Sequence, residues 1–320
     1  MGWNVFVTRL LPQRAMDLLK QECGAMDVNP HDRVLTREEL VAGVKGRDGV
    51  LCLLTDAIDD AVFEAAGPQC KIFANYAVGY NNIDVEAARR RGVRITNTPG
   101  VLTDATADMA WALLFAAARR ICESHNFLRA GQWGGWGPMQ FLGQDITGRT
   151  LGVVGAGRIG ANFALKSAGF RMKVLYADVE PNQELESKLN ARRVPLDELL
   201  AQSDFVSIHV PLMPETTHLI GARELSLMKP SAVLVNTSRG PVVDEKALVE
   251  ALREKRIAAA GLDAYEEEPA TAPGLTELPN AVTCPHTASA TVETRTKMAV
   301  MAASDLLAVL RGEEPQNVVV

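Results

Sequence analysis

An apolar run of strand type, Leu151-Gly152-Val153-Val154, leads directly into Gly155-Ala156-Gly157-Arg158-Ile159-Gly160, and a helical pattern then runs over Arg158–Ala168. A second apolar run follows at Lys173–Ala177. A tight strand-to-helix turn needs Gly155, close approach of a ligand to the backbone needs Gly157, and close packing of helix on strand needs Gly160. The free amides and positive dipole at such a helix start attract anionic phosphates. Glycines at this spacing are weak testimony alone. The strand–turn–helix–strand context is what points to a dinucleotide, with Arg158 and Ile159 beside the three glycines as cofactor-binding candidates.

Asp178 closes the second run, 18 residues beyond Gly160. A carboxylate there accepts hydrogen bonds from both ribose hydroxyls of NAD and repels the 2′-phosphate of NADP. Val179-Glu180-Pro181-Asn182-Gln183 brings no cation to neutralise a phosphate, so the expectation is NADH over NADPH.

A chain of 320 residues exceeds one ordinary core and suits two domains. Short β-branched runs alternate with amphipathic stretches, the pattern of βα units around parallel sheets. In the first series, strands are expected at Asn4–Thr8, Gly49–Leu54, Lys71–Asn75 and Val93–Thr96. Helices are expected near Pro12–Cys23, Thr36–Val44, Asp59–Ala66 and Asp84–Arg91. Thr36-Arg37-Glu38-Glu39 has the form of a capping box. Arg89-Arg90-Arg91-Gly92 reads as a helix end, where cations meet the negative dipole and Gly caps. A long apolar helix is expected over Thr103–Glu123, then a Gly- and Trp-rich arm, a second βα series to about Pro285 and a last helix near Val292–Arg311.

The net charge of −6 argues against a nucleic-acid surface, which needs an excess of Lys and Arg. The longest apolar run, Met109–Ala118, is too short for a membrane span. The opening Met1-Gly2-Trp3-Asn4 lacks a signal-peptide pattern, and five cysteines without a CxxC arrangement suit buried free thiols. A cytoplasmic protein without a metal site is expected.

Five segments occur in order: Asn75-Tyr76-Ala77-Val78-Gly79-Tyr80-Asn81-Asn82-Ile83-Asp84, Val154–Gly160, Asn236-Thr237-Ser238-Arg239-Gly240, Gly261-Leu262-Asp263-Ala264-Tyr265-Glu266-Glu267-Glu268-Pro269 and Pro285-His286-Thr287-Ala288-Ser289-Ala290. Across nearly its whole length the chain resembles the D-isomer-specific 2-hydroxyacid dehydrogenases, most of all their glyoxylate/hydroxypyruvate reductase branch. The resemblance implies two doubly wound parallel-sheet α/β domains, a flavodoxin-like substrate domain and a Rossmann NAD-binding domain, with a cleft between. It assigns residues 1–100 and 286–320 to the substrate domain and 101–285 to the NAD-binding domain, with a dimerisation arm near 122–149 and a homodimer.

Reduction of a keto acid requires an anchor for the carboxylate, stabilisation of the nascent alkoxide and a proton for it. The resemblance carries these tasks to Arg239, Glu268 and His286. Arg239 follows the apolar run Ala232–Asn236, so it stands at a strand's C-terminal end, where open α/β sheets place ligands. Its planar fork suits a carboxylate. His286 is the general acid, and Glu268 orients its imidazole and favours the protonated form. By itself, Arg239 is equally a turn residue, His286 a structural histidine after proline and Glu266-Glu267-Glu268 a solvated acidic turn; the match to the family motifs selects them. Val78 and Gly79, with Leu53, are candidate substrate contacts. Thr106, Pro211, Thr216, Thr237, Asp263 and Ala288 are further cofactor candidates, Asp263 on the nicotinamide side. The expected reaction is NADH-dependent reduction of glyoxylate or hydroxypyruvate to the D-2-hydroxy acid. The alternatives are a phosphoglycerate, D-lactate or formate dehydrogenase of the same family, or an NAD-sensing corepressor-like protein.

Overall fold

The computed structural model describes residues 2–320. The chain forms two compact units, one running up to Leu102 and resuming at Ala290–Val320, the other spanning Thr103–Ser289.

The first unit holds β1 (Trp3–Val7), β2 (Cys23–Val28), β3 (Gly49–Leu53), β4 (Ile72–Tyr76) and β5 (Arg94–Thr96), all parallel, in the order β2-β1-β3-β4-β5. Parallel neighbours need crossovers, here the helices Gln13–Glu22, Arg37–Val44, Asp60–Ala66 and Val85–Arg91. Apolar cores fill both faces, which is why β4 is buried at every position. Thr36 and Glu39 close the capping box, and Gly92 ends its helix in the left-handed region at φ 69°. β2 lies outside the sequence expectation. Cys23-Gly24-Ala25-Met26-Asp27-Val28 has little β-branched character and sits at the sheet edge, and its pairing with β1 supplies what local propensity lacks.

The second unit holds β6 (Thr150–Val154), β7 (Lys173–Ala177), β8 (Arg192–Arg193), β9 (Phe205–Ile208), β10 (Val233–Asn236), β11 (Ala259–Leu262) and β12 (Ala281–Thr283). All are parallel, in the order β12-β11-β10-β9-β6-β7-β8. From β6 the chain winds outward through β7 and β8, then returns to β9 on the other side. That reversal opens the sheet at the carboxyl ends of its strands. Gly155, Asp178, His209, Thr237 and Asp263 all follow directly on strands there.

The apolar helix Thr103–Ala118 covers one face of this sheet, with Trp111 stacked on Phe163 at 4.7 Å and its indole N–H donating to the Phe163 carbonyl at 3.0 Å. It ends before the expected Glu123. Arg120 adopts φ 52°, and the returning Gln144 amide donates to the Ala118 carbonyl at 2.9 Å. A separate helix, Ile121–Arg129, has no buried residue, and the arm after it exposes Trp133, Trp136, Met139 and Leu142.

Candidate active site

The glycine turn behaves as its spacing predicts. Gly155 has φ 89°, and a β-carbon there would lie 2.8 Å from the Val210 nitrogen. A β-carbon on Gly160 would lie 1.9 Å from the Gly155 carbonyl oxygen, so the helix rests on the turn with no room for a methyl group. Gly157 has no atom within 4 Å of its β position, and the helix Arg158–Lys166 behind it carries no side-chain cap. Open space thus lies in front of uncapped amides, as anion binding requires.

Asp178 Oδ2 accepts the Ala156 amide at 2.6 Å and ties the end of β7 to this turn. Arg193 of β8 reaches the same place: its guanidinium donates to the Asp178 carbonyl at 3.0 Å and the Val179 carbonyl at 2.5 Å. No local pattern signalled this cation. Thr237 Oγ1 is buried without a hydrogen-bond partner, whereas Thr216 Oγ1 donates to the Pro211 carbonyl at 2.6 Å and accepts the Met213 amide at 2.8 Å, so it staples its own loop. Thr106 is buried in the first turn of its helix. His209 packs on Phe163 at 5.0 Å with Nε2 2.8 Å from Ser207 Oγ, and burial pushes its imidazole down to about 3. It is a neutral wall. The open Gly157 face, the uncapped amides, the Asp178 carboxylate and the orphaned Thr237 hydroxyl fit a nicotinamide dinucleotide.

The second unit also brings His286 and Glu268 together across 18 residues of sequence: His286 Nδ1 lies 2.8 Å from Glu268 Oε2 and 3.0 Å from Oε1. With Nδ1 so engaged, Nε2 is the nitrogen left for proton exchange. The Tyr265 amide donates to Glu268 Oε1 at 3.1 Å. Burial raises the Glu268 pKa, but the His286 bond and charge, the Tyr265 amide and Arg239 together hold it below the usual value. Of the three consecutive glutamates, only Glu268 reaches His286.

Arg239 follows β10 at the start of the turn Gly240–Val242, with the Asn236 side-chain amide donating to its carbonyl at 2.9 Å and Nη1 donating to the Ser238 carbonyl at 2.8 Å. Burial lowers its pKa and Glu268 opposes that. A guanidinium keeps its charge regardless.

Asp263 is almost wholly buried, and its carboxylate accepts the Thr287 amide at 2.7 Å and the Ala288 amide at 2.6 Å. Burial nonetheless keeps its pKa above the usual value. Asp263, expected on the nicotinamide side, fixes the loop that carries His286. That anchoring explains why residues 286–289 belong to the second unit, although the sequence expectation begins the returning segment at 286. His286 itself sits at φ 52°, a conformation an L residue adopts only when its surroundings impose it.

In the first unit, Leu53 ends β3 half-buried. The Val78 carbonyl accepts from Asn97 Nδ2 at 2.7 Å and the Gly79 carbonyl from Asn75 Nδ2 at 3.0 Å. The Val78 and Gly79 amides have no acceptor among the described residues, an arrangement suited to an anion.

Residues 111–288 match the profile of the D-isomer specific 2-hydroxyacid dehydrogenase NAD binding domain. A glyoxylate reductase of Korarchaeum cryptofilum is 50% identical over 318 residues, 99% of this chain and 95% of its own. A Thermus thermophilus protein of known crystal structure is similar with a TM-score of 0.92 and 45% identity, covering 99% of this chain and all of that one. The NADPH-dependent glyoxylate/hydroxypyruvate reductase of Sinorhizobium meliloti, solved with NADP and malonate, gives a TM-score of 0.86 at 31% identity, covering 100% of this chain and 97% of its own.

Proposed function

The chain belongs to the D-isomer specific 2-hydroxyacid dehydrogenase family, and from that premise we propose how its residues reduce a 2-keto acid. It is an oxidoreductase of the glyoxylate reductase type, acting on small 2-keto acids such as glyoxylate. The observation that carries the mechanism is the two-point contact of His286 Nδ1 with the Glu268 carboxylate.

Arg239 holds the substrate carboxylate and polarises the adjacent keto oxygen. His286 delivers the proton from Nε2 to that oxygen as negative charge develops, and Glu268 stabilises the imidazolium beforehand. Bound, the reduced nicotinamide supplies the hydride. Asp263 and Ala288 keep the His286 loop in place through the bond between them. In the first unit, the Val78 and Gly79 amides and the Leu53 side chain are proposed to bind substrate. Loss of NADH absorbance with glyoxylate, hydroxypyruvate, pyruvate and formate tests the reading; a chain that consumed NADH with none of them would overturn it.

NADH is the proposed coenzyme, hydroxypyruvate a second substrate with a D-configured product, and the cytoplasm the compartment. Asp178 beside the glycine turn supports NADH, while Arg193 at the same turn is the feature that would temper that preference. The exposed Trp133, Trp136, Met139 and Leu142 support a homodimer joined through the arm. Gel filtration near twice the chain mass of 34.6 kDa is expected.

A further inference from the structure

We propose that His218 and Glu266 form a positioning pair that holds the Glu268 and Arg239 turns in register. The pair rests on the assignment of Arg239, Glu268 and His286 as the catalytic set. In the sequence, Glu266 is a member of an acidic turn and His218 an isolated histidine. In the structure His218 Nε2 lies 2.6 Å from Glu266 Oε1. Glu266 and Glu268 stand two residues apart on one turn, and each is held by an imidazole from a different segment, His218 and His286. The four-residue turn that orients the proton donor is therefore gripped twice.

Three backbone features give the second grip a route to the chemistry. The His218 amide donates to the Pro241 carbonyl at 2.8 Å, two residues beyond Arg239. Glu266 Oε1 accepts the Glu245 amide at 3.4 Å, at the start of the helix Glu245–Arg253. Gly240 lies so close to the Tyr265–Glu266 peptide that a β-carbon on it would be 2.3 Å from the Glu266 nitrogen. His218 also occupies the left-handed region at φ 51°, as His286 does at 52°. An exposed ion pair with no such connections contributes little. Here the Glu266 side chain is only 21% exposed and also accepts the Glu245 amide, and the His218 amide bonds the Arg239 turn at Pro241. Neither residue is assigned contact with substrate; the pair acts through Glu268 and Arg239.

The test is steady-state kinetics of full-length variants with glyoxylate and NADH. His218→Ala should lower kcat roughly tenfold and change KM by less than about threefold, part of the ~100-fold that a 1 Å misplacement can cost. His218→Gln, whose amide can still donate to Glu266, should recover most of the rate. In a Glu268→Gln background the His218→Ala loss should nearly vanish, since the two act in series. Wild-type kcat in His218→Ala overturns the pair, and so does an undiminished loss in the Glu268→Gln background. If His218→Ala does not fold, Glu266→Gln, which keeps the size and removes the charge, takes its place under the same two criteria. Wild-type turnover in His286→Ala overturns the catalytic set itself, whereas an inactive His286→Ala beside an unaffected His218→Ala overturns only the pair.

Discussion

Gly240 lies against Tyr265 so closely that a β-carbon on it would stand 1.8 Å from the Tyr265 carbonyl carbon and 1.9 Å from its oxygen. The residue after Arg239 and the turn that ends in Glu268 are thus in backbone contact, with no side chain between them. Gly240→Ala must push the turns apart. Overpacking of this kind costs about 1–3 kcal/mol. The larger effect is expected on chemistry, a kcat loss on the order of 100-fold from misplacing Arg239 relative to Glu268. Thermal unfolding and single-turnover rates measured on one preparation separate the two; a variant with reduced stability and undiminished rate would show the contact to be packing alone.

His286→Ala should lose turnover by roughly 10²–10⁴-fold, the range for a positioned general acid, while NADH binding measured by fluorescence titration stays close to wild type. Arg239→Ala should raise KM and lower kcat together, because one guanidinium serves ground-state binding and the charge that develops later. Wild-type kinetics in either variant would remove that residue from the mechanism.

The acid limb of stability should carry the signature of Glu268. Its folded pKa lies below the ordinary 4.5, so the unfolded chain binds the proton more readily. The stabilisation from its partners is therefore complete above that ordinary value and is lost as pH falls through the lower folded one. Glu268→Gln should flatten this part of a stability–pH curve obtained by denaturant titration. An unchanged slope would show that the carboxylate is not held in its charged form.

Asp263→Ala should strip the Thr287 and Ala288 amides of their acceptor, at about 1–3 kcal/mol for each buried donor left unmade. Asp263 has the opposite pH sign to Glu268. Its folded pKa is raised, so stability falls as pH rises from the ordinary 3.8 towards the folded value, then levels off. Turnover should fall with the loss of the loop, and hydrogen exchange at residues 286–289 should quicken. Unchanged exchange would mean that other contacts hold the loop.

Asp178→Ala should weaken NADH binding by roughly 10–100-fold, the equivalent of about 1.5–3 kcal/mol for a hydrogen bond to a charged group, and should narrow the gap between NADH and NADPH. Arg193→Ala added to wild type should widen that gap, as it removes the cation at the same turn. A wild-type enzyme that prefers NADPH would reverse the coenzyme assignment.

What could be read from the sequence was whatever short-range chemistry enforces. The glycine turn, the Thr36–Glu39 capping box, the Gly92 helix end and the apolar runs of the central strands depend on neighbours within a few residues. β2 was hidden because an edge strand takes its register from β1 rather than from its own composition. The break at Ala118 was hidden because Gln144, far along the chain, supplies the terminal hydrogen bond. The site divides in the same way. Arg239, Glu268 and His286 stood in motifs, but the bonds of Asp263 to the His286 loop, of Arg193 to the Asp178 turn and of His218 to Glu266 join residues 24, 15 and 48 apart. Residue type gave no sign of those pairings, because each side chain alone is an ordinary polar residue.

With residues 286–289 anchored by Asp263, His286, Glu268 and Arg239 all lie on a single sheet and its loops. A mutation in the other unit, whether in the loop at Val78 or in its terminal helix, leaves the bonds of His286 to Glu268 and of Asp263 to the His286 loop untouched. Thr103–Ser289 therefore inherits these pairings as one piece, whatever changes in the segments on either side of it.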